Sequence, residues 1–171
     1  VVHLGSSPAQ MGVVLRPPGA DAHTYKNVME TGQCTFNHIG VDWVVQAHQC
    51  SARYPADASE FDAVGLTPCG QTDGWMAPAV QEARIRMGLT LAKDMELPNG
   101  CRFMVLDVAW VEVDGQAMAE DGHLDLGRAR TAAISGLDGY HDTRHLGRLS
   151  YAKVGKEVKV LTEVMVGWND A

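Results

Sequence analysis

No basic stripe runs through this chain. Lys and Arg number 14 against 21 Asp and Glu, a formal net charge of −7. Nucleic-acid binders draw most of their affinity from neutralising phosphates, so that class is excluded. No apolar run approaches the ~20 residues that a membrane-spanning helix requires. No basic segment followed by an apolar one opens the chain, so no secretory signal is read there. The four cysteines, Cys34, Cys50, Cys69 and Cys101, form no C-x-x-C pair. That spacing offers neither a zinc knuckle nor a thioredoxin-like motif, and four reduced thiols in a cytoplasmic protein are expected. There is no G-x-S-x-G elbow, no Walker loop, no G-x-G-x-x-G and no metalloprotease His-Glu pattern. No repeat, low-complexity tract or linker interrupts the chain, and residues 1–171 read as one domain.

What is present is a globular composition. Apolar residues make up 46% of 171 positions, which is outside the disordered range. A chain of this length can bury about two-thirds of its unfolded surface without cross-links.

Val1 to Leu4 reads as the end of a strand, with a turn over Gly5-Ser6-Ser7-Pro8 and a second strand from Met11 to Leu15. His23 to Thr31 is predicted as a helix stopped by Gly32, with Tyr25, Val28 and Met29 on its buried face. Cys34 to Ile39 is a strand candidate. Val41, Val44, Val45 and His48 form a helical stripe within 41–52, which makes His48 a core or interface histidine. Ser59 reads as the N-cap of a short third helix ending near Gly65. Two long strands, Ala83 to Leu97 and Cys101 to Val113, flank Pro98-Asn99-Gly100, a hairpin signal. Apolar side chains stand on both alternating faces of the second: Phe103, Val105 and Val111 on one, Met104, Leu106, Val108 and Trp110 on the other. Both faces are therefore expected to be covered, as in a barrel wall or a central sandwich strand. Ala132 to Leu137, Arg148 to Ala152 and Lys156 to Val166 complete the extended segments.

His141 and His145 stand at i, i+4, where a helix would place two imidazoles on one face. Gly139 and Gly147 oppose a regular helix, and solvated loop histidines are the other reading. Phosphate binding has more support. Arg16 ends a strand, and His23 and Thr24 open a helix three residues before Asn27. A helix N-terminus offers unpaired N–H groups and a positive dipole end. Thr24 as a plain N-cap and Arg16 as a surface charge is the competing reading.

These residues also carry a resemblance. His3 to Gly12, Arg16-Pro17, His23 to Asn27, Glu30-Thr31-Gly32, Gln46 to Pro55 and Ser59 to Asp62 resemble, in order, the flavin-reductase-like FMN-binding domain family, and its flavoredoxin branch in particular. The likeness continues through Gly65 to Pro68, Ala77-Pro78, Glu120 to Leu126, Ser135 to Tyr140 and Leu149 to Lys153. The resemblance implies a mainly β fold with short helices, a split β-barrel. It implies a homodimer with FMN held noncovalently near the subunit interface. It places Gly5, Ser6, Ser7 and Pro8 beside the flavin ring. Arg16, His23, Thr24 and Asn27 would face the FMN phosphate. Ser51 and Arg53 would lie near the phosphate or ribityl chain, and His123 near the flavin face or mouth. The family has Pro-Pro where this chain has Pro8-Ala9, and its two opening strands, about 25–35 residues by ordinary strand and turn lengths, are expected ahead of Val1.

The implied activity is a flavin reductase or flavoredoxin-like electron carrier. NADH or NADPH would be the reductant, and an unspecified acceptor would lie downstream. No catalytic residue and no metal are required, because the chemistry belongs to the cofactor. Two rivals are a flavin-binding split-barrel dimer without turnover and a metal-dependent hydrolase built on His141 and His145.

Overall fold

The computed structural model describes residues 1–19, 22–70 and 74–162. The fold is mainly β with short helices. Strands β1 (Val2–Ser6) and β2 (Ala9–Leu15) form a hairpin around the expected turn. Helix α1 (His23–Thr31) follows, and its C-terminus closes on Gly32 at φ 68°, whose N–H donates to Val28 O at 2.8 Å. A left-handed residue there has no steric penalty only when it lacks a Cβ, so glycine ends the helix.

Strand β3 (Gln33–Asn37) runs on from α1. The region 41–52 breaks into a 3-10 turn, Val41–Trp43, and helix α2 (Val44–Gln49). The break rotates the face: Trp43 is buried, whereas Val45 is 76% exposed. Helix α3 (Glu60–Val64) starts after Ser59, whose side chain makes no capping hydrogen bond. Two short strands, β4 (Pro68–Cys69) and β5 (Ala79–Val80), pair with each other. The long hairpin is β6 (Ile85–Glu96) and β7 (Arg102–Val113). Strands β8 (Ala132–Ser135) and β9 (Gly139–Asp142) form another hairpin, and β10 (Arg148–Leu149) pairs with β11 (Val160–Thr162). The expected last strand is thus three residues long where described, and 163–166 lie outside the described residues.

The main sheet has the antiparallel order β1-β2-β7-β6-β3. Its α1-facing side buries Leu89, Met104 and Leu106 against Val28, with Met11, Val13, Leu15 and Tyr25 around them. Met29, expected on the buried face of α1, is instead 47% exposed. The other side of β7 is half-covered: Phe103 and Val2 lie over Gly12, where an added Cβ would collide with the phenyl ring. Simple alternation fails at Trp110. The register slips between Gly88 and Leu89, so Ala109 is an extra residue and Trp110 turns to the side opposite Val108. There the indole lies directly over Gly88 and packs edge-on to Trp75 at 5.7 Å. Val111 is 55% exposed, so the covering expected on both faces is incomplete within one chain.

Two smaller cores brace the rest. Trp43, Leu66 and Ala83 hold α2 and α3, and Ile85, Ala117 and Ala129 anchor the 115–130 loop.

Candidate functional site

Helix α1 begins without a side-chain cap. Its N-cap is Ala22, Thr24 lies inside the first turn, and no acidic residue occupies that turn. The Thr24-as-N-cap reading is therefore corrected. Lys26 N donates to Ala22 O at 3.1 Å, the first regular bond. The helix amides before it have no partner among the described residues, and they lie at the positive end of the helix dipole.

Three further segments converge there. Arg16 follows the C-terminal end of β2. Beyond α2, Cys50 N donates to Gln46 O at 3.1 Å and Ser51 N to His48 O at 3.0 Å, a tight turn that carries Ser51 and Arg53 back toward α1. The fourth wall is the β8–β9 turn. Val41 N donates to Arg130 O at 2.9 Å and Ala132 N to Ile39 O at 2.8 Å, which stitches that hairpin to the front of α2. Arg130 grips Asp42 with two bonds, 3.0 and 2.7 Å, and His48 Nδ1 lies 3.1 Å from the Tyr140 hydroxyl.

The result is a cleft of about 670 Å³ that brings together Arg16, His23, Thr24, Ser51 and Arg53. A smaller hollow of about 340 Å³ also touches Arg16, Thr24 and Arg53. Asn27 lies one turn along, in an adjoining groove of about 720 Å³ that shares His23 and Thr24 with the cleft. Arg16 and His23 have no side-chain partner among the described residues. Residues 5–8 are not part of the cleft. They sit at the opposite end of β2, about 23 Å from Arg16 by the rise of seven extended residues.

His123 is also elsewhere, in a separate cleft with His145. His141 and His145 share no helical face: His141 is on β9 with Nε2 at 2.8 Å from Ser135 Oγ, and His145 faces Asp125. Among the described residues no group of three or more His, Cys, Asp or Glu side chains is arranged to hold a metal ion.

Several cleft residues escaped the sequence reading: His48, Cys50, Tyr54, Glu60, Leu137 and Asp138. His48 was read as a core or interface histidine; within one chain it is not in the core but is an exposed residue of the cleft. Leu137 and Asp138 arrive from a hairpin more than 80 residues away, which no local pattern foretells. Burial pushes the Cys50 thiol up from its ordinary range, and the nearby Glu60 carboxylate adds to the effect. Cys50 is thus a neutral thiol on the cleft wall, not a ready nucleophile.

Chemically, two guanidinium groups, uncapped amides, a Thr hydroxyl and a Ser hydroxyl suit a phosphate monoester. Glu60 and Asp138 suit hydroxyl groups, which carboxylates accept from.

A family model described as "Flavin reductase like domain" matches residues 1–132. A split-barrel-domain protein from Shewanella frigidimarina NCIMB 400, assigned as a flavin reductase, superposes with TM-score 0.82 at 44% identity, covering 88% of this chain and 75% of that one. Component B of nitrilotriacetate monooxygenase from Bacillus cereus superposes at 0.72 with 20% identity, covering 84% and 73%. Flavoredoxin of Desulfovibrio vulgaris (Miyazaki F) does so at 0.65 with 20% identity, covering 99% and 79%. No curated protein matches the chain at a significant level.

Proposed function

The chain belongs to the flavin reductase like domain family, and from that membership we propose that it is an FMN-binding oxidoreductase, a flavin reductase or flavoredoxin-type electron carrier that takes hydride from NADH or NADPH. The observation that carries this reading is the convergence of Arg16, Thr24, Ser51 and Arg53 at the N-terminus of α1.

That cleft fits the cofactor's phosphate tail. Arg16 and Arg53 neutralise a dianion. The first amides of α1 and the Thr24 hydroxyl donate to its oxygens, and Ser51 adds a hydroxyl from the facing turn. Glu60 and Asp138 are placed to accept from ribityl hydroxyls, and their charge limits how much negative charge the cleft admits. The His48–Tyr140 contact holds the β8–β9 turn against α2 and so keeps the cleft's far wall in place. Bound FMN would supply the hydride and electron chemistry, which no side chain here provides. The ring-side role of Gly5, Ser6, Ser7 and Pro8 rests on the family resemblance alone.

A homodimer is part of the proposal. Val2 and Val14 stand half-exposed on the side of β1 and β2 turned away from α1, where a second copy would cover them. Sedimentation at micromolar concentration should give twice the monomer mass.

The deciding experiment titrates the full-length protein with FMN, then adds NADH or NADPH under anaerobic conditions. A yellow complex that bleaches supports the proposal. A yellow complex that neither nicotinamide bleaches reduces it to flavin binding without turnover. A protein that takes up no FMN ends it.

A further inference from the structure

The second cleft, of about 600 Å³, lies between the 119–128 loop and the 145–148 segment, and shares no lining residue with the first. Two of its carboxylates have partners within the chain. Asp121 Oδ1 accepts from His123 N at 3.1 Å, and its Oδ2 accepts from the Arg148 guanidinium. Asp125 Oδ1 accepts from Gly127 N at 2.9 Å and Arg128 N at 3.0 Å, and its Oδ2 faces His145 Nδ1 at 3.4 Å. Those bonds keep both carboxyls below the ordinary range, chiefly through Arg148 for Asp121 and the Arg128 amide for Asp125.

The consequence is that the acids act as scaffold and the nitrogen groups are left to face the cleft. His145, tied at Nδ1, presents Nε2. His123 stacks obliquely on His145, ring centres 5.6 Å apart. The Arg128 guanidinium is 61% exposed, and Arg148 retains N–H groups beyond its bond to Asp121. One imidazole and one guanidinium rise from each side.

We propose that this cleft is a binding site for a tetrahedral oxyanion, a sulfate or phosphate group, held by His123, Arg128, His145 and Arg148. The donors stand on two facing segments; a carboxylate accepts mainly in one plane, whereas a tetrahedral anion presents oxygens to both sides. Glu120 also lines the cleft and has no side-chain partner among the described residues; it opposes the anion and limits the affinity.

The test follows the ring C–H signals of His123 and His145 by NMR while sodium sulfate is added to the full chain, with chloride at matched ionic strength as reference. A saturable shift of both rings, with Kd on the order of millimolar, is expected. Arg128→Gln should weaken it about tenfold, the loss of one charge-assisted bond; Asp125 loses its 3.7 Å ion pair with Arg128 Nε but keeps the Arg128 and Gly127 amides and His145. Glu120→Gln should tighten it. Shifts no larger than chloride produces, or shifts unchanged in Arg128→Gln, overturn the proposal. Acetate binding as tightly as sulfate overturns the tetrahedral assignment. None of these signals reports on the α1 cleft, so failure here and failure to bind FMN are separate results.

Discussion

Tyr25 donates its hydroxyl to Asp94 Oδ2 at 2.9 Å, tying the first turn of α1 to the far end of the β6–β7 hairpin. Arg102 binds the same carboxylate, with Nε at 3.1 Å from Oδ1, and its guanidinium lies 5.8 Å from the Tyr25 ring centre. The helix whose N-terminus lines the cleft is thereby fixed to the long β6–β7 hairpin. Position of that helix end and stability of the hairpin are linked through one carboxylate.

Arg102, and secondarily Tyr25, hold the Asp94 carboxyl below the ordinary carboxylate range. A depressed folded-state value means that the stabilisation is fully present above the unfolded value, about 4, and is lost as pH falls through the folded one. Urea midpoints measured from neutral pH downward should therefore fall more steeply for the wild type than for Asp94→Asn. Parallel pH profiles would show that the carboxylate contributes nothing.

Thr24→Ala should weaken FMN binding by about 1–2 kcal/mol, the order of one hydrogen bond to a charged group. Arg53→Ala should weaken it about tenfold or more. Riboflavin, which lacks the phosphate, should bind both variants as it binds the wild type. Flavin-fluorescence titrations with the two ligands give the comparison, and equal losses for both would place the phosphate elsewhere.

Leu89 is completely buried beneath α1. Leu89→Ala should cost about 3 kcal/mol, the usual sum of lost transfer energy and residual cavity. Its neighbour fails for the opposite reason. Gly88→Ala drives a methyl group into the Trp110 indole and should cost about 1–3 kcal/mol as overpacking. Trp110 cannot retreat cheaply because Trp75 packs against it. Chemical denaturation of both variants, with Trp fluorescence for Gly88→Ala, checks each value.

Burial pushes the Cys34 thiol up to about 11. At pH 8 almost no thiolate forms there, so in the folded protein Cys34 should react with a disulfide reagent far more slowly than a free thiol in solution. Peptide mapping after timed labelling would show it. Addition of denaturant should abolish the difference, since the cause is desolvation in the native state.

Much of the local structure was legible before any coordinates. The limits of α1 follow from periodicity and from Gly32, and the β6–β7 hairpin from Pro98-Asn99-Gly100, because each depends on residues a few positions apart. The break at Trp43 was not legible. A helical stripe with Val45 buried and one with Trp43 buried satisfy the same spacing, and only the small core with Leu66 and Ala83 chooses between them. The bulge at Ala109 was equally silent, since its cause, the close approach of Trp110 to Gly88, lies on the partner strand.

The candidate site divides in the same way. Arg16, His23 and Thr24 were readable as phosphate-binding residue types, as were Ser51 and Arg53 through the family resemblance. Their meeting with Leu137 and Asp138, the separation of the Gly5–Pro8 turn from them, and the removal of His123 to a second cleft all depend on strand order and on how the β8–β9 hairpin docks on α2. Side-chain chemistry and short-range propensity belong to the residues themselves and survive in any arrangement of the chain. Which of those groups share one volume of solvent is a matter of long-range packing, where burial of Trp43, Leu89 and Met104 outweighs every local preference.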